Sequence, residues 1–272
     1  MEIDRRFLFS GDATGVAAHF HRLDDLDKLD HVIPTLGSSA IPPTGGRSHH
    51  QLSNQKFFAD QPRRRLLVSA DHAEALAIGH CEDEANFKSE IHAIVRSLSV
   101  LDQLHVELVE LHQVTTRNWY ASSSHTETKG EIKGLRLGEV KVHVELDDRP
   151  FSQCSTKQAL REFYASQSED YRRENSHRFH TPPGAAEITE RNGRYFGSLV
   201  KKIELEGPEE DKRKIHVDGY SIKWDGFGRI FLGEVIASDK DRRVSMIRLK
   251  MGSSAAGTAT IGGGQTNGST VP

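Results

Sequence analysis

The sequence predicts a mainly β protein, with antiparallel sheets arranged as a sandwich or a curved sheet and one inserted amphipathic helix near residues 156–173. Three observations predict this fold. Residues 140–146 alternate strictly between apolar and polar side chains, which is typical of a strand with one buried face. Similar segments recur along the chain between turn signals. A mean hydropathy of -0.56 also suits strands that bury one face only, because they need fewer apolar residues than elements covered on both sides.

The length and charge of the chain restrict the kinds of protein that it can be. A chain of 272 residues can form one large unit, so we interpret residues 1–272 as one β-rich domain. The net charge of -3 comes from 36 basic and 39 acidic residues spread along the sequence, so no basic field is expected to attract nucleic acid. No apolar run is long enough to span a membrane, and residues 1–12 lack the apolar segment of an export signal. We therefore expect a cytoplasmic protein by default.

The first third of the chain is interpreted from its turn residues and its alternation. Residues 33–48 contain three prolines and three glycines, which predicts a looped connection pinned by turns and not a central strand. Residues 66–78 alternate weakly and are interpreted as a pair of strands. The run 79–84 combines His, Cys and three carboxylates, and we interpret it as a charged hairpin tip.

Residues 90–116 fit both helical and strand spacing. Strand is favoured because Val, Ile and Thr are plentiful and because the strongly alternating segment that follows needs a partner. A hairpin turn is then expected at Asp102–Gln103, with a bulge near Val109 that switches the side-chain parity.

A helix-and-loop insertion is predicted over residues 152–192. The helix begins with the S-x-x-Q capping box of residues 155–158 and extends to about Arg173, with Leu160, Phe163, Tyr164 and Tyr171 on one stripe. Strands resume after the insertion. The uncharged, glycine-rich segment 252–272 is interpreted as a C-terminal tail, or as a close-packed strand followed by a tail, with order expected up to about Gly262.

The C-terminal third carries a recognisable pattern. Residues 224–263, "WDGFGRIFLGEVIASDKDRRVSMIRLKMGSSAAGTATIGG", contain a glycine turn, a strand, a charged turn, an alternating strand and a small-residue G-x-A-x-I-G end. This resembles the closing pattern of the choice-of-anchor P family of bacterial surface proteins, and the resemblance extends to residues 34–46, 94–118 and 130–142. It implies an all-β module with a surface or structural role, an extracellular location and no catalytic residues to carry over. The chain departs from that family in the many charges on its strands.

Few residues suggest a catalytic or metal-binding role. His19 and His21 would share one face of a strand, where two imidazoles can bind a transition metal if a carboxylate joins them. The alternative is a pair of solvent-facing histidines. Cys81 and Cys154 form no CxxC motif and are interpreted as free thiols. No catalytic residue and no cofactor is predicted.

The favoured function is therefore structural or interactive. We expect a protein that self-assembles or binds a protein partner through its sheet edges, its helix or its C-terminal tail. The alternative is a carrier of an apolar ligand in a curved sheet, with Trp224 and Phe231 among the lining residues. A metal-dependent enzyme that uses His19 and His21 is the third hypothesis.

Overall fold

The described part of the chain consists almost entirely of strands. A computed structural model describes residues 6–23, 31–59, 64–120, 124–154, 156–238, 241–252 and 255–271. The strands are β1 (Arg6–Leu23), β2 (His31–Ala40), β3 (Gly46–Ala59), β4 (Arg65–Cys81), β5 (Asn86–Val100), β6 (Leu104–Asn118), β7 (His125–Lys133), β8 (Leu135–Leu137), β9 (Val140–Leu146), β10 (Glu190–Arg191), β11 (Arg194–Ser198), β12 (Val200–Glu206), β13 (Ile215–Asp218), β14 (Ser221–Trp224), β15 (Gly228–Ala237), β16 (Arg242–Gly252) and β17 (Ala255–Val271). The helices are α1 (Arg149–Gln153), α2 (Lys157–Ser166), α3 (Glu169–Glu174) and α4 (Glu209–Lys212), with a 3-10 turn at Ser176–Phe179.

Two antiparallel sheets pack face to face. Sheet A has nine described strands in the order β10-β11-β15-β16-β17-β1-β2, with β14 beside β15 and β13 beside β14. Sheet B has eight in the order β12-β9-β8-β6-β5-β4-β3, with β7 also beside β6. The apolar side chains that each sheet turns inward form one buried cluster between them. The predicted mainly β, antiparallel fold is confirmed, and its architecture is that of a sandwich.

The C-terminal segment is a central strand and not a tail. β17 pairs with β1 from Arg6–Val271 to Leu23–Ala255 and with β16 on its other side. Its small residues are required by the packing, because a Cβ at Gly264 would lie 3.0 Å from the main-chain oxygen of Asp12. The prediction of a strand at 258–261 is confirmed, whereas the limit of order at Gly262 is wrong.

Residues 33–48 also need correction. Most of this segment is strand, since β2 extends to Ala40 and β3 begins at Gly46, and only the intervening turn matches the prediction. Pro34 is compatible with a strand here because β2 lies at the edge of sheet A, where a missing N–H breaks no ladder. Residues 66–78 likewise belong to one long strand, β4, and not to a pair.

The strand interpretation of residues 90–116 is confirmed. β5 and β6 form a hairpin whose turn contains Leu101 and Asp102, with φ of 57° and 53° as in a type I′ turn. Burial changes parity between Leu108 and Val109 as expected. The predicted bulge near Val109 is wrong, because β5 and β6 keep one register throughout, and Ser97 of β5, with φ of 51°, accompanies the change instead.

In each sheet, the alternation of buried and exposed side chains along the strands is interrupted at one row of residues. Odd-numbered side chains are buried on one side of this row and even-numbered side chains on the other, or the reverse. The strand registers place five residues opposite one another in each row; we call the rows the creases. The sheet A crease is Gly233, Met246, Gly262, Gly15 and Gly37, and the sheet B crease is Asn54, Asp71, Ser97, Glu107 and Gly134. In both creases, every second strand contributes a residue with φ between 51° and 63°. Such left-handed residues let long strands bend while one face stays buried.

The insertion contains several short helices in place of the single helix predicted. Ser155 lies outside the described residues, and the N-cap of α2 is Thr156, whose hydroxyl accepts the N–H of Ala159 at 3.0 Å. α2 ends because Gln167 is extended, and Ser168 then caps α3 by accepting the N–H of Tyr171 at 3.2 Å. The predicted stripe is partly right, since Leu160 and Tyr164 are buried.

A buried arginine ties the insertion to sheet A. Arg242 of β16 is 4% exposed, and its guanidinium donates to the main-chain oxygens of Thr126 at 2.9 Å, Cys154 at 3.0 Å and Phe151. No carboxylate among the described residues pairs with it, and burial lowers its pKa to about 10. One side chain thus holds β7 and the C-terminal half of α1 against the sheet.

A buried ion pair forms a second anchor. Arg178, 1% exposed, donates to the carboxylate of Asp147 at 3.2 Å and to the main-chain oxygen of Asp147 at 2.5 Å. Burial alone would raise the pKa of Asp147, but the hydrogen bond from Arg149 and the charge of Arg178 outweigh it and lower the pKa to about 2. The segment between β9 and α1 is therefore fixed to the 3-10 turn within the insertion.

Candidate functional site

A pocket of about 370 Å³ opens on the outer face of sheet A, beside the insertion. We call it the sheet A pocket. It is lined by His180, Phe196, Gly197, Glu234, Val235, Ile236, Arg243, Ser245, Arg248 and Thr260. Its walls therefore combine an aromatic and aliphatic surface with several polar groups that converge on one space, as in small-molecule sites.

The sheet A crease explains which side chains of β15 line the pocket. Left-handed Gly233 inverts the parity of β15, so that Val235 is buried while Glu234 and Ile236 turn outward into the pocket. On the inner face of the sheet, Gly197 of β11 pairs with the buried Val235, and a Cβ at Gly197 would lie 2.6 Å from Cζ of Phe151. The close packing of α1 at Gly197 is therefore on the face opposite to the pocket.

A charge pair supported by an aromatic ring forms one side of the pocket. Arg248 donates to both carboxylate oxygens of Glu234, with Nε–Oε2 at 2.5 Å and Nη2–Oε1 at 2.8 Å. Its guanidinium carbon lies 3.9 Å from the centre of the Phe231 ring, in cation–π contact. The hydrogen bond to Glu234 raises the pKa of Arg248. This pair is preorganised, and its two charges cancel.

His180 forms another part of the wall and has a strained backbone. Its φ of 48° and ψ of 41° are left-handed, which is uncommon outside glycine and is found at functional sites. Its ring centre lies 4.7 Å from that of Tyr220 and 6.4 Å from that of Phe196. Burial holds the pKa of His180 below its usual value, with Glu234 opposing the shift. Burial and the charge of Glu234 also raise the pKa of Tyr220 to about 12.

His180 gives the protein a testable pH dependence. Because its pKa is lowered in the folded state, the unfolded chain binds more protons between that lowered pKa and about 6.5, so the free energy of unfolding should fall as the pH drops through this window. Urea unfolding at several pH values should show a smaller fall for His180→Asn, since Asn tolerates the left-handed backbone. His216→Asn, at an exposed position, is the control. Equal slopes for wild type and His180→Asn would contradict the expectation.

Arg243 is the exposed cation of the pocket. Within the described part of the chain, its guanidinium makes no hydrogen bond or ion pair. Gln265 faces it on β17, and Asp12 faces Gln265 on β1. Burial raises the pKa of Asp12, and the charge of Arg243 opposes that shift from a distance. Arg243 is thus available to a ligand.

The predicted site residues lie elsewhere. His19 and His21 do share one face of β1, with ring centres 4.0 Å apart, as the sequence predicted. Among the described residues, however, no three His, Cys, Asp or Glu side chains are arranged to hold a metal ion, so the metal hypothesis stays a prediction. Cys81 and Cys154 are free, as expected, and burial raises the pKa of the Cys154 thiol.

The residues expected to line a carrier cavity have other contacts. Trp224 stacks on Phe227 at 4.9 Å, and Phe231 is in cation–π contact with Arg248 but does not itself line the pocket. Sequence reasoning missed His180, because it lies in a stretch without periodicity. The glycine before Glu234, in the middle of an apolar strand, was the one local signal of a bulge that could have drawn attention to this site.

Comparison with known families gives a match over most of the chain. Residues 7–238 match the family described as a domain of unknown function, DUF8256. The chain belongs to the DUF8256 family. The DUF8256 match includes His180, Phe196 and Glu234 of the pocket, whereas β16 and β17 follow it. No curated protein matches the chain. The resemblance to the choice-of-anchor P family stays a prediction.

None of the helices that the structure describes is both long and apolar enough to cross a membrane.

Proposed function

We propose that this protein is a non-catalytic binding protein that holds a small ligand in the sheet A pocket. The observation that carries the proposal is the convergence of His180, Arg243 and the Glu234–Arg248 pair on a space of about 370 Å³. This volume lies at the lower end of the roughly 300–1,000 Å³ typical of small-molecule sites. The strained backbone of His180 indicates that the wall is held in place by its surroundings.

The chemistry of the wall favours binding over catalysis. Both oxygens of Glu234 accept hydrogen bonds from Arg248, so this carboxylate is a poor general base as it stands. With a pKa of about 12, Tyr220 keeps its proton near neutral pH. The polar groups of the pocket are therefore suited to orient a ligand by hydrogen bonds and charge.

Filling the pocket should abolish binding without unfolding the protein. Ile236 turns outward into the pocket, so Ile236→Trp places an indole in the ligand space and leaves the core unchanged. A fragment library screened by NMR should give ligands that shift the signals of pocket residues in the wild type and not in this variant. Val217→Trp, at an exposed position on β13, is the matched control and should bind like the wild type. Fragments that bind Ile236→Trp equally well would contradict the proposal.

A second function, assembly through a sheet edge, is favoured by one feature. β3 is a strand of 14 residues at the edge of sheet B, most of its side chains are exposed, and no described strand pairs with its outer side. Such an edge can accept an extended segment of a second copy or a protein partner through main-chain hydrogen bonds. The C-terminal segment is less suited to this role, because β17 is already paired on both sides.

Two proline variants test the edge. Successive N–H groups of a strand point to opposite sides, so one of Gln51→Pro and Leu52→Pro removes a donor from the open edge, and the other removes one that faces β4. If β3 mediates self-association, light scattering of the wild type should give a mass above 30.4 kDa that rises with concentration. One of the two variants should then stay monomeric with an unchanged melting temperature. A monomeric wild type at all concentrations would remove self-association through β3.

A further inference from the structure

We infer that the ligand of the sheet A pocket is a small organic monoanion of the carboxylate class, with an apolar body that packs on Phe196 and Ile236 and an anionic group that binds Arg243. This inference rests on the proposed function, and it adds the chemical class of the ligand.

The charges of the pocket give the first argument. Two guanidinium groups, Arg243 and Arg248, and one carboxylate, Glu234, line the space. Glu234 is held by Arg248 through two hydrogen bonds, so the charges of these two groups are mutually satisfied. One positive charge, that of Arg243, is left over on the wall. A ligand with a single negative charge would neutralise it.

The groups around Arg243 give the second argument. Ser245 lies two residues further along β16, on the same outer face, since Val244 and Met246 are fully buried beneath it. Thr260 of β17 pairs with Arg248 of β16 and lines the same space. The two hydroxyls can donate to oxygens of an anion while a planar guanidinium binds it in a bidentate manner.

Neither Asp12 nor Glu234 neutralises Arg243 by an ion pair. Asp12 is separated from Arg243 by Gln265 and forms no ion pair with it in the part of the chain that the structure describes. Glu234 would have to leave Arg248, where it makes hydrogen bonds of 2.5 and 2.8 Å. The anion site is therefore open to a molecule from solution.

The rest of the wall determines the body of the ligand. Phe196 of β11 and Ile236 of β15 pair with each other and supply an aromatic and aliphatic surface. His180, neutral near pH 7 because burial lowers its pKa, adds no second charge. An apolar group of modest size fits this half of the pocket better than a sugar or a polyphosphate, whose polar groups would lose their water without gaining partners.

Matched probes test the charge and the source of the anion. Binding of 3-phenylpropanoate, of its uncharged amide and of N-acetylphenylalanine is measured by NMR titration. The wild type should bind one of the two acids about 10- to 100-fold more tightly than the amide, as expected for hydrogen bonds to a charged group. Tighter binding of N-acetylphenylalanine would assign the site to a peptide C-terminus, and tighter binding of 3-phenylpropanoate would assign it to a free acid. Either result supports the inference.

Variants show whether Arg243 is responsible. Arg243→Met should bring the acids to the affinity of the amide, and Arg243→Lys should restore part of the difference. Lys250→Met removes an exposed cation from the same face of β16 and should change neither affinity. If the amide binds the wild type as tightly as the acids, the inference that the ligand is an anion is overturned, but the proposal that the pocket binds a small ligand is kept. If no probe and no library fragment binds, the proposed function fails with it.

Discussion

Replacement of Arg242 by methionine is expected to lower the free energy of unfolding by about 2–4 kcal/mol. The side chain donates to the main-chain oxygens of Thr126, Phe151 and Cys154, and a buried carbonyl without a partner costs roughly 1–3 kcal/mol. Part of this loss is offset, because methionine avoids the cost of burying a guanidinium that has no carboxylate partner. Urea unfolding gives the value directly.

The neighbouring arginine provides the control. Arg243 is exposed on the opposite face of β16, so Arg243→Met should change the free energy of unfolding by less than about 0.5 kcal/mol. The first signals lost on mild denaturation of Arg242→Met should come from α1 and β7, which Arg242 holds. If both methionine variants are equally stable, the buried guanidinium is no anchor.

Substitution of Gly262 by alanine should be similarly costly, at about 2–4 kcal/mol. The residue has φ of 59°, a conformation that costs an L-residue roughly 1–2 kcal/mol. In addition, the new Cβ would lie 2.6 Å from Cγ1 of Val109 in sheet B and 3.3 Å from Met246, and overpacking of a core typically costs about 1–3 kcal/mol. Chemical denaturation monitored by tryptophan fluorescence would measure the sum.

Substitutions at two other glycines distinguish the cost of the left-handed backbone from the cost of overpacking. Gly193 has φ of 74° with nothing near its position for a Cβ, so Gly193→Ala should show the backbone cost alone. At Gly252 the space is open and φ is not left-handed, so Gly252→Ala should be neutral or slightly stabilising. If Gly262→Ala costs no more than Gly193→Ala, the close approach of the two sheets at the crease does not restrict this position.

The fold was predictable where alternation was strong. The pattern of residues 140–146 requires a strand with one buried face, and it made a strand pair of residues 90–116 the better interpretation. Alternation did not reveal the full length of β17, because glycines and alanines fill the narrow space between the sheets and leave no apolar pattern to detect. The break between α2 and α3 was missed because Ser168 serves as a cap within a continuous helical stripe.

The sheet A pocket was not predictable from the spacing of residues along the sequence. His180, Glu234, Arg243 and Thr260 belong to the insertion and to three different strands, and only the pairing of β15, β16 and β17 brings them to one pocket. Strand alternation could assign Glu234 to a face only if the inversion at Gly233 were known. A sequence read one strand at a time shows charged surface residues here and gives no sign of their common space.

The pairing of β1 with β17 has a consequence for the order in which the molecule folds. The strands β3, β4, β5 and β6 of sheet B are consecutive hairpins, and contacts that are near in sequence close at small entropic cost. By contrast, the centre of sheet A joins the first described strand to the last, from Arg6 to Val271. Such distant pairing is slow. We therefore expect the hairpins of sheet B to form while the chain is still being synthesised. The strand β1 can complete its pairing in sheet A only after β17 has left the ribosome.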